Sequence, residues 1–98
     1  MPKTCYIYNL ASLSRALYVG MTSDLDGRMY QHKHGTLGGF TAKYKVNRLV
    51  YFEEYENPND ATARERQLKG WRRAKKIALI QRFNLGWQDF SAGWFTEE

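Results

Sequence analysis

The chain opens with short β-forming runs and moves to helical spacings further along. Residues 4–10, Thr-Cys-Tyr-Ile-Tyr-Asn-Leu, predict a strand, and residues 16–20, Ala-Leu-Tyr-Val-Gly, predict a second. The residues between them, Ala11 to Arg15, suit a hairpin loop. A loop symmetric about Leu13 sets Tyr8 directly opposite Tyr18, and opposed residues of an antiparallel pair share a face. Both phenols then emerge together, whereas a slip of one residue would part them. Thr22 or Ser23 offers an N-cap, with Asp24 and Asp26 in a first turn that favours acids. The helix that follows runs through Leu25, Arg28, Met29 and His32 and stops near Gly35. Gly27 weakens it by about 1 kcal/mol relative to alanine. Arg28 and His32 are four positions apart and lie on one face.

Residues 35–46, with Gly35, Gly38 and Gly39, read as an irregular link carrying Lys43 and Lys45. Asn47 to Tyr55 predicts a third strand, with Leu49, Tyr51, Glu53 and Tyr55 on one side and Val50, Phe52 and Glu54 on the other. The turn from Glu56 to Asp60 caps a helix beginning near Asn59 or Asp60. In it Ala61, Glu65 and Leu68 follow helical spacing, so Glu65 falls on the apolar stripe. A lone carboxylate there is costly unless something pairs with it. Gly70 ends or kinks this helix. A further helical stretch carries Ile77, Leu79, Ile80 and Phe83 over the remaining apolar side, and Trp87, Phe90, Trp94 and Phe95 form an aromatic tail that covers the core.

Composition narrows the class. At 98 residues, with 43% apolar and 15% aromatic residues, the chain predicts one folded domain spanning residues 1–98. No apolar run reaches the length of a membrane span, and the N-terminus lacks a secretory pattern. The single cysteine, Cys5, fits a buried strand position and a reducing, cytoplasmic setting. Net charge is +5, and eight of the fifteen basic residues, including Lys69, Arg72 and Arg73, fall between Arg64 and Arg82, where Glu65 is the only acid. Such a surface attracts polyanions, of which nucleic acid is the commonest in a cytoplasm.

Two tyrosines, an arginine, a histidine and one isolated carboxylate are the parts needed to cut a phosphodiester. Their order is that of a known family. Tyr6-Ile7-Tyr8, Leu17-Tyr18-Val19-Gly20, Asp24-Leu25 followed by Arg28 and His32, and Ala61 followed by Glu65 resemble the GIY-YIG nuclease domain. Gly39-Phe40-Thr41, Lys43-Tyr44, Leu49-Val50-Tyr51 and the run from Arg64 to Arg73 resemble, more narrowly, the small stand-alone bacterial members. The resemblance implies an α/β (α+β type) fold: a small three-stranded antiparallel sheet flanked by helices, in the order β-β-α-β-α-α.

The same resemblance implies roles. One phenol, Tyr8 ahead of Tyr18, helps deprotonate the attacking water while the other orients it. Arg28 binds the scissile phosphate, since its fork suits phosphate oxygens. His32 assists proton transfer. Glu65 is the single metal ligand, a set that suits Mg²⁺ (or Mn²⁺), which keeps most of its hydration shell. Thr22, Lys43, Lys69, Arg72 and Arg73 are the candidate contacts to the nucleic-acid backbone. Tyr6 stands where many relatives have glycine, and Met21 and Gly27 where longer polar residues are frequent. The function implied is a metal-dependent endonuclease acting on DNA, in repair, recombination or turnover, with no membrane and no organic cofactor. The alternatives are a nucleic-acid-binding module that does not cut, and an interaction subunit of a repair complex that uses the aromatic tail.

Overall fold

The structure, a computed structural model, describes residues 4–95. Its elements are β1 (Cys5–Ala11), β2 (Leu17–Thr22), α1 (Leu25–Lys33), α2 (Gly39–Lys43), β3 (Arg48–Tyr55), α3 (Pro58–Lys69) and α4 (Arg73–Phe83). The strands form one antiparallel sheet in the order β2-β1-β3, so β1 is central. The expected three-stranded α+β architecture is therefore present. It carries one helix more than expected, because the glycine-rich link contains the single turn of α2.

The hairpin is offset from the symmetric reading. Tyr8 lies opposite Gly20, and Tyr18 opposite Leu10, so the turn is centred on Ser14 and not on Leu13. The Ser12 and Ser14 hydroxyls bond each other at 3.0 Å, and Ser12 Oγ also accepts from the Ala16 N–H. Because the offset is two residues, the phenols are diagonal neighbours and keep their common face.

The sheet separates its apolar residues onto two sides. On one side Tyr8, Leu10, Leu25, Met29, Val46 and Leu49 form a cluster beneath α1. On the other, Cys5, Ile7 and Val19 meet Ala61 and Leu68 of α3, and Ala11, Val50 and Tyr51 meet Ile80 and Trp87. The expected alternation in β3 fails at one point. Asn9 pairs with Tyr51 but Leu10 pairs with Leu49, leaving Val50 as an extra residue. This irregularity sends Leu49 toward Tyr8 while Val50 and Tyr51 face α4.

Helix boundaries also shift. Asp24, not Thr22 or Ser23, caps α1 by accepting from Gly27 N–H at 3.0 Å. Asn57 caps α3, which starts at Pro58, a residue whose fixed φ and missing N–H suit a first turn. α1 contains a glycine and is short, so its stability comes from packing; burying Leu25 and Met29 contributes about 1.5–3 kcal/mol each. Phe83 does not cover the core: it is 63% exposed and only flanks Tyr51. Trp87 is buried as expected, whereas Phe90 and Trp94 stand at the surface.

Candidate active site

The polar cluster lies on the α1 side of the sheet. Tyr8 projects from the central strand and is completely buried. Its hydroxyl lies 3.1 Å from Nε2 of His32, and the rings of Tyr8, Tyr18 and His32 surround one another at centroid distances of 5.7–6.3 Å. Gly20 makes room for this. A Cβ there would sit 2.4 Å from the Tyr8 hydroxyl oxygen and 3.0 Å from the Tyr18 ring. The Tyr8 ring lies across the backbone of the next strand, and only a residue without a side chain lets it pass.

His32 is 4% exposed. Burial, followed by the nearby charge of Arg28, lowers its pKa to about 4. The ring is therefore neutral at pH 7, and Nε2 can accept the phenolic proton of Tyr8. The other nitrogen, Nδ1, has no partner among the described residues. Burial, then Tyr18, pushes the Tyr8 phenol up to about 12, although the Arg28 charge pulls against this. Tyr8 is thus a proton donor in the free protein. Any base role for it requires that its own proton leave at the same time.

Both ends of α1 are anchored. At the start, Thr22 Oγ1 accepts from Asp24 N–H at 3.0 Å and donates to the Asp24 carbonyl at 3.2 Å. Thr22 is buried in this strand-to-helix turn, which occupies the hydroxyl assigned to backbone contact. At the end, Lys33 is ion-paired with Asp89. Asp89 also accepts from Leu49 N–H at 3.0 Å and from both the N–H and the hydroxyl of Ser91. Burial alone would raise the Asp89 pKa; the bonds from Lys33, Ser91 and Leu49 outweigh it and hold the group below its ordinary value.

Glu65 approaches from the other side of the sheet. α3 packs on β2 and β1 through Ala61 and Leu68, and Glu65 sits between them with a side chain 22% exposed. Lys69 satisfies it at 3.0 Å. Its charge still acts on Tyr8, where it raises the phenol pKa slightly. Among the described residues no three His, Cys, Asp or Glu side chains gather as a metal cage. One carboxylate beside phosphate oxygens and waters is nonetheless a donor set that Mg²⁺ accepts.

The remaining basic candidates are more occupied than their charge implies. Arg73 Nη2 donates to the Arg15 carbonyl at 2.7 Å, tying α4 to the hairpin loop. Lys43 lies over the Tyr44 ring on α2, and Arg72 is exposed at the start of α4. Arg64 belongs to a network that the sequence does not announce. It grips Glu53 through Nε and Nη2 at 2.9–3.3 Å and donates to Gln67 at 2.7 Å. Tyr51 and Tyr55 also donate to Glu53, the latter at 2.6 Å. Burial raises the Glu53 pKa, but Arg64 and the two phenols overcome this and hold it below the carboxylate norm. Three residues that shape the site, Gly20, Glu53 and Asp89, are not among the site candidates the sequence offers. Only Gly20, at the end of Leu-Tyr-Val-Gly, left a local signal.

A hairpin carrying two phenols, an arginine–histidine helix and a carboxylate helix define the class of the protein. The family model of the GIY-YIG catalytic domain matches residues 4–78, and the chain belongs to that family of nuclease domains. It is 36% identical over 75 residues to a UPF0213 protein of Clostridium perfringens, covering 76% of this chain and 81% of the relative. It is 32% identical over 76 residues to a UPF0213 protein of Staphylococcus aureus, covering 78% and 93% respectively. The solution structure of a UPF0213 protein from Bacillus halodurans shares the fold, with a TM-score of 0.58 at 24% identity over 92% of this chain and 97% of that one. No helix among the described residues is long and apolar enough to cross a membrane.

Proposed function

We propose that the protein is a metal-dependent endonuclease that hydrolyses DNA phosphodiester bonds. The contact between the Tyr8 hydroxyl and His32 Nε2 carries this reading, because it gives a buried phenol somewhere to send its proton. A phenol held near pKa 12 cannot take a proton from water by itself at neutral pH. Tyr8 is covered in the free protein, so a substrate that brings a water to its hydroxyl lets it pass its proton to the neutral imidazole as it receives one from that water, and no free phenolate is needed. The net result is hydroxide delivered to phosphorus and a proton held on His32, which can return it to the leaving oxygen or to solvent. Tyr18, whose ring packs on both partners, orients the water.

Arg28, one helical turn before His32, holds the phosphate and meets the charge that builds on its oxygens. Glu65 would hold Mg²⁺ or Mn²⁺ together with waters and a phosphate oxygen. Such an ion supplies charge stabilisation at the phosphoryl group and leaving oxygen. Lys69, which pairs with Glu65 in the free protein, would be released to the substrate backbone. A role in repair, recombination or turnover follows from the chemistry as a class, and a cytoplasmic location fits the lone buried thiol.

The test is cleavage of branched, single-stranded and duplex DNA with Mg²⁺ or Mn²⁺. Tyr8→Phe, Arg28→Ala and Glu65→Ala should each lose at least about a hundredfold in rate, the scale of one lost proton-transfer or charge-stabilising group. Full cleavage by both Arg28→Ala and Glu65→Ala would refute the assignment. Salt-sensitive binding of uncut nucleic acid, unaffected by Glu65→Gln, would instead support a non-catalytic binding module.

A further inference from the structure

From Gly27 to Phe52 the chain contains no aspartate or glutamate, yet it carries Arg28, Lys33, Lys43, Lys45 and Arg48. The fold gathers part of this segment around two adjoining hollows of about 520 and 380 Å³. They share Lys33, Lys45 and Asn47 and so form one groove. One end of it is bordered by His32, the partner of Tyr8, and the other by Ser12 of the hairpin and by Arg48. Among the described residues the only carboxylate lining it is Asp89, which is already committed to Lys33, Leu49 and Ser91.

Lys45 is exposed, and neither Lys45 nor Arg48 has an ion-pair partner among the described residues. Arg48 donates from Nη2 to the Trp87 carbonyl at 3.2 Å, which fixes the guanidinium while leaving donors free. The contrast with α3 and α4 is direct. There Arg64, Lys69 and Arg73 are spent on Glu53, Glu65 and the Arg15 carbonyl, and Lys75 lies over Trp71. The basic run most visible in the sequence is partly consumed by the fold, whereas Lys45 and Arg48 of the groove keep their charge for a ligand.

We propose that this groove holds the phosphate backbone of the nucleic acid to one side of the cut. The proposal rests on the nuclease reading for the position of the scissile phosphate beside Arg28. A strand held there must continue past the site, and the groove reaches His32 in the same cluster. Its lysine and arginine charges match successive phosphates, and the Asn47 amide and Ser12 hydroxyl add neutral donors. Lys45, Arg48 and Asn47 thus join the substrate-binding residues, and Arg72 and Arg73 become secondary.

Binding is measured by fluorescence anisotropy with labelled DNA single strands, duplexes and RNA, in EDTA so that nothing is cut, over a salt series. The doubly substituted Lys45→Asn, Arg48→Gln chain should bind at least tenfold more weakly at 0.1 M salt. Its log–log salt slope should be shallower by about 1.5, as expected for two lost phosphate contacts at roughly 0.7–0.9 each. Arg72→Gln with Arg73→Gln should change both quantities less. Lys45→Asn alone guards against misfolding, because Lys45 is exposed and has φ 53°, a conformation asparagine tolerates; it should show about half the slope change. Wild-type affinity and slope in the double variant overturn the proposal, as does competition by poly-glutamate equal to that by nucleic acid. Failure of the nuclease reading is read separately, from cleavage that survives Glu65→Ala and Arg28→Ala.

Discussion

Replacing Gly20 with alanine adds a single methyl at the point where Tyr8 crosses β2. The new carbon would lie 2.4 Å from the Tyr8 hydroxyl oxygen and 2.5 Å from Cζ. Comfortable contact begins at about 3.5 Å, so the phenol must retreat by about 1 Å. Tyr8 is completely buried, and the Tyr18 and His32 rings pack against it, so the displaced ring must push on its neighbours. Overpacking of this kind costs about 1–3 kcal/mol. A shift of 1 Å also breaks the 3.1 Å contact with His32, and misplacement on that scale is worth about a hundredfold in rate. Gly20→Ala should therefore remain folded, lose about 1–3 kcal/mol in urea denaturation, and cleave about a hundredfold more slowly. Gly86→Ala is the control, since its Cβ would meet nothing closer than 3.9 Å. If Gly20→Ala matches wild type in both stability and rate, the arrangement of Tyr8 against β2 is wrong, and the proton path built on it fails too.

Three other outcomes follow from the polar contacts. The folded pKa of His32, about 4 against an ordinary 6.5, means that the unfolded chain binds the extra proton first as pH falls. Stability should thus decline between pH 6.5 and 4 by up to about 3 kcal/mol from this residue, and His32→Gln should remove that part of the decline; parallel acid profiles for the two proteins would contradict it. Glu53→Gln leaves Arg64 without its counter-charge and should cost about 2 kcal/mol at pH 7, and less as pH falls through the depressed pKa of the wild-type carboxylate; a loss under 0.5 kcal/mol at pH 7 would show the network to be idle. Tyr8→Phe leaves His32 Nε2 buried without a donor, so it should lose about 1–3 kcal/mol in addition to its activity, a cost that denaturation at pH 8 would report.

The sequence revealed much of the fold because its strands are short runs of β-formers bounded by turn residues. The shared face of Tyr8 and Tyr18 was legible for a narrower reason: strand side chains repeat every two residues, so a two-residue error in register preserves the face. The hydroxyl contacts of Ser12 and Ser14 that accompany the observed register lie in a loop without periodicity. The extra residue at Val50 was hidden because Leu49, Val50 and Tyr51 are all apolar and alternation has no contrast there. α2 is one turn long, with glycine at its cap and first position, too little for helical spacing to register. The site residues were found through motif order, whereas Glu53 looked like an ordinary strand acid. Its partners are two neighbours on the same strand, Tyr51 and Tyr55, and a helix residue eleven positions on.

Asp89 has a consequence for the order in which the protein takes shape during synthesis. The family match ends at residue 78, but Asp89 joins the end of α1 to the start of β3 by bonding Lys33 and Leu49, 56 and 40 positions earlier. A nascent chain that has cleared the ribosome only through α4 has all five proposed catalytic side chains. It lacks the carboxylate that ties the C-terminal end of α1, one residue past His32, to the start of β3. The proposed site is therefore braced by a residue outside the matched domain. Translation would release the sheet and its helices first, and the contact between α1 and β3 only once residue 89 has emerged.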